Sequence, residues 1–596
     1  MLRPEIDASS GALRYVFPLT IPPGRRGLQP DLSLTYNSQD RQDGSVIGFG
    51  WSLSIPSITR LNKTGSQNLY STNFFASSFE GELVQASSGF YYAKVERGDL
   101  REYQPSGDAW TMRDKLGTLY TFGATAASRQ DNPADASQTY RWMISEIRDL
   151  NDNFISFTYD KVGGQIYPSV ITYTGHDTTP GMFTVEFARE TRPDVRSDYR
   201  SAFLVETLER ISQITVKVNT AVARTYALAY AAGQDGTRSM LASITESGTD
   251  VNGSTVSLPP TSFTYATQPS LANSSSSGWA APFHVTALFS GVLVADVNGD
   301  GLPDLLKSLA YPSPALLVQE AYLNTGTSWV SDPAWIPPAF AFATFNGPEY
   351  GVQAVDVNGD GKVDLVRNLP WAQEAWLNTG AGWTLDMAYS NFSGTFAHDP
   401  WQIDQGVRLV DVNGDELPDW IRQNGGSTYL QLNTGNGWGA AQSNPAQFNV
   451  PPQVGATTIG AVFADVNADG LVDILTGRAF ATNQAYMNTG TGWVLDPSFS
   501  PPMDFIDSGN GDEGIRTVDL DNNGLPDLGR RSPYIDIGWL NLGHGWSGTF
   551  TNTWNPGGSC NFVNGALQNA TQFADLNGDG LLDWFCTAGA NPIPST

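Results

Sequence analysis

Asp296-Val297-Asn298-Gly299-Asp300-Gly301-Leu302-Pro303-Asp304 is the stretch on which the reading of this chain turns. The same nine-residue pattern returns at Asp356–Asp364, Asp411–Asp419, Asp465–Asp473, Asp519–Asp527 and Asp575–Asp583. Successive copies start 60, 55, 54, 54 and 56 residues apart, the period of a repeat architecture. Oxygen-bearing side chains stand at positions 1, 3, 5 and 9 of every copy. They are Asp296, Asn298, Asp300 and Asp304, then Asp356, Asn358, Asp360 and Asp364, then Asp411, Asn413, Asp415 and Asp419. The later copies supply Asp465, Asn467, Asp469 and Asp473, then Asp519, Asp521, Asn523 and Asp527, then Asp575, Asn577, Asp579 and Asp583. Position 6, where the chain must turn sharply, is Gly except for Glu416 in the third copy. A hard cation that takes about six to eight oxygens suits such a loop, with a backbone carbonyl near position 7 completing the set. The expectation is one Ca2+ per loop, up to six in all. Helical calcium loops close with a Glu at about position 12, whereas here the closing Asp stands at position 9 and Leu305-Leu306 follow, which suits a strand. The competing reading is a set of metal-free Asn-Gly-Asp-Gly turns. Three carboxylates within nine residues, six times over, would then repel one another without a counter-ion.

Each loop sits in one layout. An apolar stretch such as Val292-Leu293-Val294-Ala295 enters it, a second leaves it, and a third approaches an Asn-x-Gly turn. That turn is Asn324-Thr325-Gly326, Asn378-Thr379-Gly380, Asn433-Thr434-Gly435, Asn488-Thr489-Gly490 or Asn541-Leu542-Gly543. A fourth stretch begins at Trp329, Trp383, Trp438, Trp493 or Trp546. Asn-x-Gly between apolar runs is hairpin chemistry, and four strands per unit stacked radially make a propeller blade. Residues 275–596 are therefore read as a six-bladed calcium-binding β-propeller, its Trp side chains packed between blades rather than serving as sugar platforms. Only five Trp-led strands follow a loop, and Gly278-Trp279 precedes the first one. The strand near Trp279 is accordingly expected to complete the last blade, which would remove an exposed sheet edge.

The 596-residue chain is too long for one core. It carries 33 Lys and Arg against 60 Asp and Glu, a net charge of −27. Eighteen of those Asp stand in the loops, so the acidity is local, and nucleic acid, which needs clustered cations, is excluded as a partner. No apolar run reaches the roughly 18 residues of a membrane span. Met1–Tyr15 lacks the basic and apolar regions of a secretory signal. Export is thus expected to be independent of such a signal, or the segment belongs to a longer chain. Cys560 and Cys586 both fall in the last repeat, and whether they form a disulfide stays open.

The first 267 residues differ in texture. Leu13, Tyr15, Phe17, Leu19 and Ile21 alternate as one face of a strand, which Pro22-Pro23-Gly24 ends. Asp149-x-Asn151-x-Asn153 copies the start of a calcium loop, but Phe157 stands where the closing carboxylate should be, so a β-turn is expected. Three stretches carry a resemblance: Pro-Pro-Gly-Arg-x-Gly-Leu-Gln-Pro at 22–30, Gly-Phe-Gly-Trp-Ser-Leu at 48–53 and Leu-Pro-Pro-Thr-x-Phe-x-Tyr at 258–265. They resemble the SpvB-type N-terminal domain of Salmonella virulence plasmid B proteins, of the B subunits of insecticidal Tc toxin complexes, and of Rhs/YD-repeat proteins. The order of parts, an SpvB-like β domain over 1–267 and then FG-GAP/VCBS-type repeats, is similar too. In the Tc family such parts form a section of a hollow β-shell around a toxic cargo and a propeller that docks on a pore-forming subunit. The ADP-ribosyltransferase domain of the Salmonella protein would lie beyond Thr596.

No Ser-His-Asp signature, His-Glu-x-x-His, phosphate-cradling loop or zinc spacing occurs. His176, His284, His398 and His544 are scattered. Paired carboxylates for glycoside cleavage have no sequence signature, but most of the repeat-region Asp are assigned to loops. The expectation is an all-β, secreted, non-catalytic scaffold with a protein partner, either a pore-forming toxin subunit or a cell-surface receptor. The alternative is a calcium-dependent adhesin or lectin whose propeller binds glycan or protein. A polysaccharide-acting enzyme ranks third.

Overall fold

The computed structural model describes the chain apart from 1–3, 7–11, 39, 41–44, 234–237, 250–252, 266–281, 283–290, 313–314, 345–349, 370, 392–396, 399–402, 405–406, 425, 452–459, 508–512, 521–523, 533–534, 552–562, 565–566, 569–571, 577–582 and 586–596. Among the described residues the secondary structure is strand, with helical turns only as three-residue 3-10 segments. Two compact units form, the first from Met1–Thr267 and the second from Gln268–Val466, Leu471–Asn541 and Gly545–Thr596, with short pieces of the later chain grouping with the first.

The first unit opens with an antiparallel sheet of Glu5–Ile6, Leu13–Pro18, Ser33–Asn37 and Trp51–Leu53. A closed barrel of eight strands follows, which the sequence reading did not foresee. It runs Ser57–Arg60, Phe75–Ser77, Gly81–Gln85, Tyr91–Ala93, Glu102–Ser106, Ala109–Arg113, Leu119–Phe122 and Asp135–Arg148. Each strand pairs antiparallel with the next, and Arg141–Met143 pair back onto Ser57–Thr59. The inward faces are aromatic because a narrow barrel is filled by side chains. Phe75 and Trp110 meet edge to face at 4.8 Å, and Tyr91 and Trp110 at 5.2 Å. The Arg60 guanidinium lies 4.9 Å from the Phe75 ring centre and donates to the carbonyls of Thr139, Leu69 and Thr72. The long Asp135–Arg148 strand leaves the barrel and starts a second sheet: Asn153–Val162, Gln165–His176, Phe183–Asp198, Val205–Val218, Ala221–Ala232 and Ser239–Thr249.

Two of the motifs that carried the resemblance meet in this unit's core. Trp51 is buried, its ring 4.7 Å from Phe263, and its indole N–H donates to the Tyr265 hydroxyl at 2.9 Å. Gly48 must be glycine: its φ is +118°, and a Cβ there would lie 2.6 Å from the Ser239 carbonyl oxygen. Asp149-x-Asn151-x-Asn153 is a turn, as read, in which the Asp149 carboxylate accepts the N–H groups of Asn151 and Asn153. Deeper in the sheet, Arg192 and Asp194 form a fully buried fork-to-fork pair at 2.9 and 3.0 Å, and Asp194 also accepts from the Ser239 amide.

The second unit repeats one four-stranded antiparallel sheet. The second copy, Val352–Val355, Asp364–Leu369, Ala372–Asn378 and Trp383–Asp386, shows the plan. The first copy adds Ala343–Thr344 in parallel, and the third to fifth follow the same order. Around the sixth loop the described strands are Gln572–Ala574 paired with Asp583–Phe585. The apolar residues that leave the loops are the core, with Leu305, Leu306, Leu365, Val366 and Ile421 unexposed. One expectation needs correction. The fourth strand starts at Trp329, Trp383 and Trp493, but Trp438 and Trp546 make only single bridges to Asn433 and Asn541. In those copies Gly439 and Gly548 follow within two residues of the Trp and weaken strand pairing, and the strand forms later, at Gln442–Ser443 and Phe550–Thr551. Trp279, Cys560 and Cys586 lie outside the described residues, so the expected closing strand and disulfide do too.

Candidate metal centre in the repeated aspartate loops

Each loop begins as the first strand of its repeat ends and closes as the next strand begins, so its shape follows from its side chains acting on its own backbone. In the first copy Asp296 accepts the N–H of Gly299 at 2.7 Å on one oxygen and that of Gly301 at 2.8 Å on the other. Asn298 accepts from Asp300 N–H and Asp300 from Leu302 N–H, both at 2.9 Å. The second copy repeats this through Asp356, Asn358 and Asp360, and the third through Asp411, Asn413 and Asp415. In the fourth, Asn467 accepts from Asp469 N–H, and in the fifth Asp519 accepts from Gly524 N–H. These are chained Asx turns, the local chemistry that lets Asp and Asn replace a backbone ladder.

The closing carboxylate does something different. Asp304, Asp364, Asp419, Asp473 and Asp527 are wholly buried. One oxygen of each takes the N–H at loop position 2 (Val297, Val357, Val412, Val466 or Leu520). The other takes the backbone N–H of the Asn that opens the Asn-x-Gly turn, at 2.6–2.8 Å. Burial raises the Asp304 carboxyl to about 6 and Asp364 to about 7, with the other loop carboxylates adding to the rise, and lifts Asp419 well above the ordinary range. Asp415 rises to about 6 by burial and by the charge of Asp411. In the second loop burial again pushes upward, but the Lys362 ammonium holds Asp360 below its ordinary value.

The donor set is oxygen only, the kind a hard cation takes and a soft one does not. Among the described residues no three His, Cys, Asp or Glu side chains gather closely enough to grip an ion by themselves. Asn and carbonyl oxygens would have to complete any such shell. Asp521, Asn523, Asn577, Asp579 and the Asp583 side chain lie outside the described residues, as do the structures of the fifth loop's middle and most of the sixth.

The sequence reading missed the Asn of the Asn-x-Gly turn, which is more than a turn residue. The side-chain amide of Asn378 donates to the Val297 carbonyl at 2.8 Å, that of Asn433 to Val357 at 2.7 Å, that of Asn488 to Val412 at 2.8 Å and that of Asn541 to Val466 at 2.8 Å. Each acceptor is position 2 of the preceding repeat's loop. The second amide hydrogen goes to position 8 of the same repeat, and the side-chain oxygen accepts the turn glycine's N–H where Gly380, Gly435 and Gly490 supply it. Asn324 has no preceding repeat, and its amide reaches the Leu576 carbonyl of the sixth loop at 2.9 Å. One signal was available: Thr gives way to Leu542 in the fifth turn, while Asn and Gly hold in all five. The Trp side chains also reach across repeats, Trp383 to the Trp335 carbonyl, Trp438 to that of Tyr389 and Trp546 to that of Phe499.

Two family models match the chain: Salmonella virulence plasmid 65kDa B protein over residues 7–97, and FG-GAP-like repeat over 411–476. The mono(ADP-ribosyl)transferase SpvB of Salmonella typhimurium is 28% identical over an alignment of 165 positions that covers 23% of this chain and 27% of that protein. Among solved structures, a chain of the Photorhabdus luminescens Tc holotoxin pore superposes with a TM-score of 0.70 at 19% identity, covering 96% of this chain. A chain of the TcdB2-TccC3 crystal structure superposes at 0.60 and 18% identity, covering 98%. The chain spans 27% of the length of the Salmonella protein and 30% and 31% of the two structural neighbours. At these identities the likeness is one of fold.

Proposed function

We propose that this chain, an SpvB-type region joined to FG-GAP-like repeats, is a non-catalytic shell and docking segment of a secreted, Tc-toxin-like assembly. The observation that carries the reading is the fold likeness over nearly the whole chain to parts of Tc toxin structures. The first unit would serve as wall, its barrel and long strands helping to enclose a cargo. The second would be a six-bladed propeller that docks on a pore-forming protein subunit. Repeated four-stranded sheets and the Asn contacts that lead from the second repeat to the first and from the first to the sixth support that ring. Up to six Ca2+ ions would stiffen its loops, held by the Asp and Asn oxygens at positions 1, 3, 5 and 9; the oxygen-only donor set supports that assignment.

The docking face is proposed at the end of the repeats away from the aspartate loops, where the second and third strands connect. There Trp371 is 69% exposed and Phe480 97%. Large apolar side chains standing in water at one end of a repeat array are what a protein partner covers. Co-elution and calorimetry with the pore-forming subunit of a Tc complex test the reading. Trp371→Asp with Phe480→Asp should weaken binding at least tenfold without changing the melting profile. Undiminished binding would reject this face, and binding to a glycan array with no affinity for the subunit would replace the reading with a lectin.

A further inference from the structure

The side-chain amides of Asn378, Asn433, Asn488 and Asn541 staple each repeat to the one before it in the chain. At those junctions the two repeats are also joined covalently. A lost staple there leaves its partners tethered at high effective concentration, so the junction re-forms. The contact of Asn324 with Leu576 has the same geometry and the same loop position, but its partners are 252 residues apart. Asn324 is 2% exposed and Leu576 6%, so the contact is shielded from competing water.

We propose that the Asn324–Leu576 contact is a latch that shuts the repeats into a ring, and that this seam is where the ring opens. The proposal rests on the ring reading of the second unit. At the four junctions between consecutive repeats, position 2 of the loop is a ready anchor because its N–H is already fixed by the buried closing Asp. Its carbonyl is thereby held rigid and ready to accept. With the latch released, the first and sixth repeats lose their described tie, while the stapled junctions between consecutive repeats keep theirs.

Hydrogen exchange on the full chain tests this, comparing the unmodified protein with Asn324→Ala and Asn433→Ala. Asn324→Ala should speed exchange in 292–295 and in 572–574 together, by about tenfold, the loss of one buried hydrogen bond. Asn433→Ala should act near 352–357 and leave 572–574 unchanged. If Asn324→Ala speeds the first segment alone, or Asn433→Ala speeds 572–574 equally, the latch is overturned. A guanidinium series on the unmodified chain serves where the variant fails to fold. Protection in 292–295 and 572–574 that falls together, ahead of 407–410, supports the latch. Protection in those two segments that falls independently withdraws the ring reading itself, and joint loss only after 407–410 withdraws the latch but keeps the ring.

Discussion

Glu416 shows how far a single residue departs from its repeat. Four other copies place Gly at position 6 with φ between +83° and +87°, and Glu416 adopts +70° all the same. A left-handed non-glycine residue costs about 1–2 kcal/mol, partly offset because Gly gains freedom in the unfolded chain. Glu416→Gly should therefore stabilise the second unit by about 1 kcal/mol in calorimetry, and tighten any cation held by the third loop. Ala468, at +57° where the first three copies and the sixth have Gly at position 4, marks the fourth loop in the same way. In the first unit the decisive residue is Asp194. Burial would raise its carboxyl, but Arg192 and then Ser239 hold it below the ordinary range. A lowered folded value means its contribution is fully present above the unfolded value near 4 and is lost as pH falls through the folded one. Asp194→Asn should cost about 3–5 kcal/mol, because it strands the buried Arg192, and should remove part of the first unit's acid transition in a pH-melt series. Nothing in the sequence announced that pair, because Arg192-Pro193-Asp194 reads as an ordinary polar stretch of strand.

Among elements, those with local periodicity were legible and those made by distant pairing were not. Of the alternation in 13–21, Leu13–Pro18 forms a strand and Leu19 is buried while Leu13 stands exposed, and the loop-flanking apolar runs reappear as strands and core. Barrel closure depends on Ser57–Thr59 meeting Arg141–Met143, a pairing that neither segment encodes alone. The aspartate loops were legible as turns, but the closing Asp reads differently once its partners are known. As a sequence feature it is a ligand; in the fold it ties the loop's start to the neighbouring turn through two backbone N–H groups. Asp364→Ala should leave the N–H groups of Val357 and Asn378 without acceptors and cost about 2–6 kcal/mol, at roughly 1–3 kcal/mol for each stranded group. Asp364→Asn, which keeps one accepting oxygen, should cost less. Equal losses in denaturant melts would mean that charge, not acceptor geometry, is what the position supplies.

For the whole molecule, the two units are expected to answer to different stabilising agents. If calcium fills the loops, each site adds about 2.7 kcal/mol at a hundredfold excess over its Kd. EDTA should then lower the melting temperature of the second unit and leave that of the first in place. Unchanged melting of both would return the loops to metal-free turns, held by the Asx hydrogen bonds alone. The contact between Asn324 and Leu576 also sets a clock on biogenesis. At about 5–20 residues per second, the 252 residues that separate the partners take roughly 13 to 50 seconds to synthesise. Throughout that interval the first repeat stands on the ribosome with the Asn324 side-chain amide lacking its Leu576 acceptor, and the surface that the sixth loop covers is open to chaperones and to the same repeat on neighbouring nascent chains of one polysome.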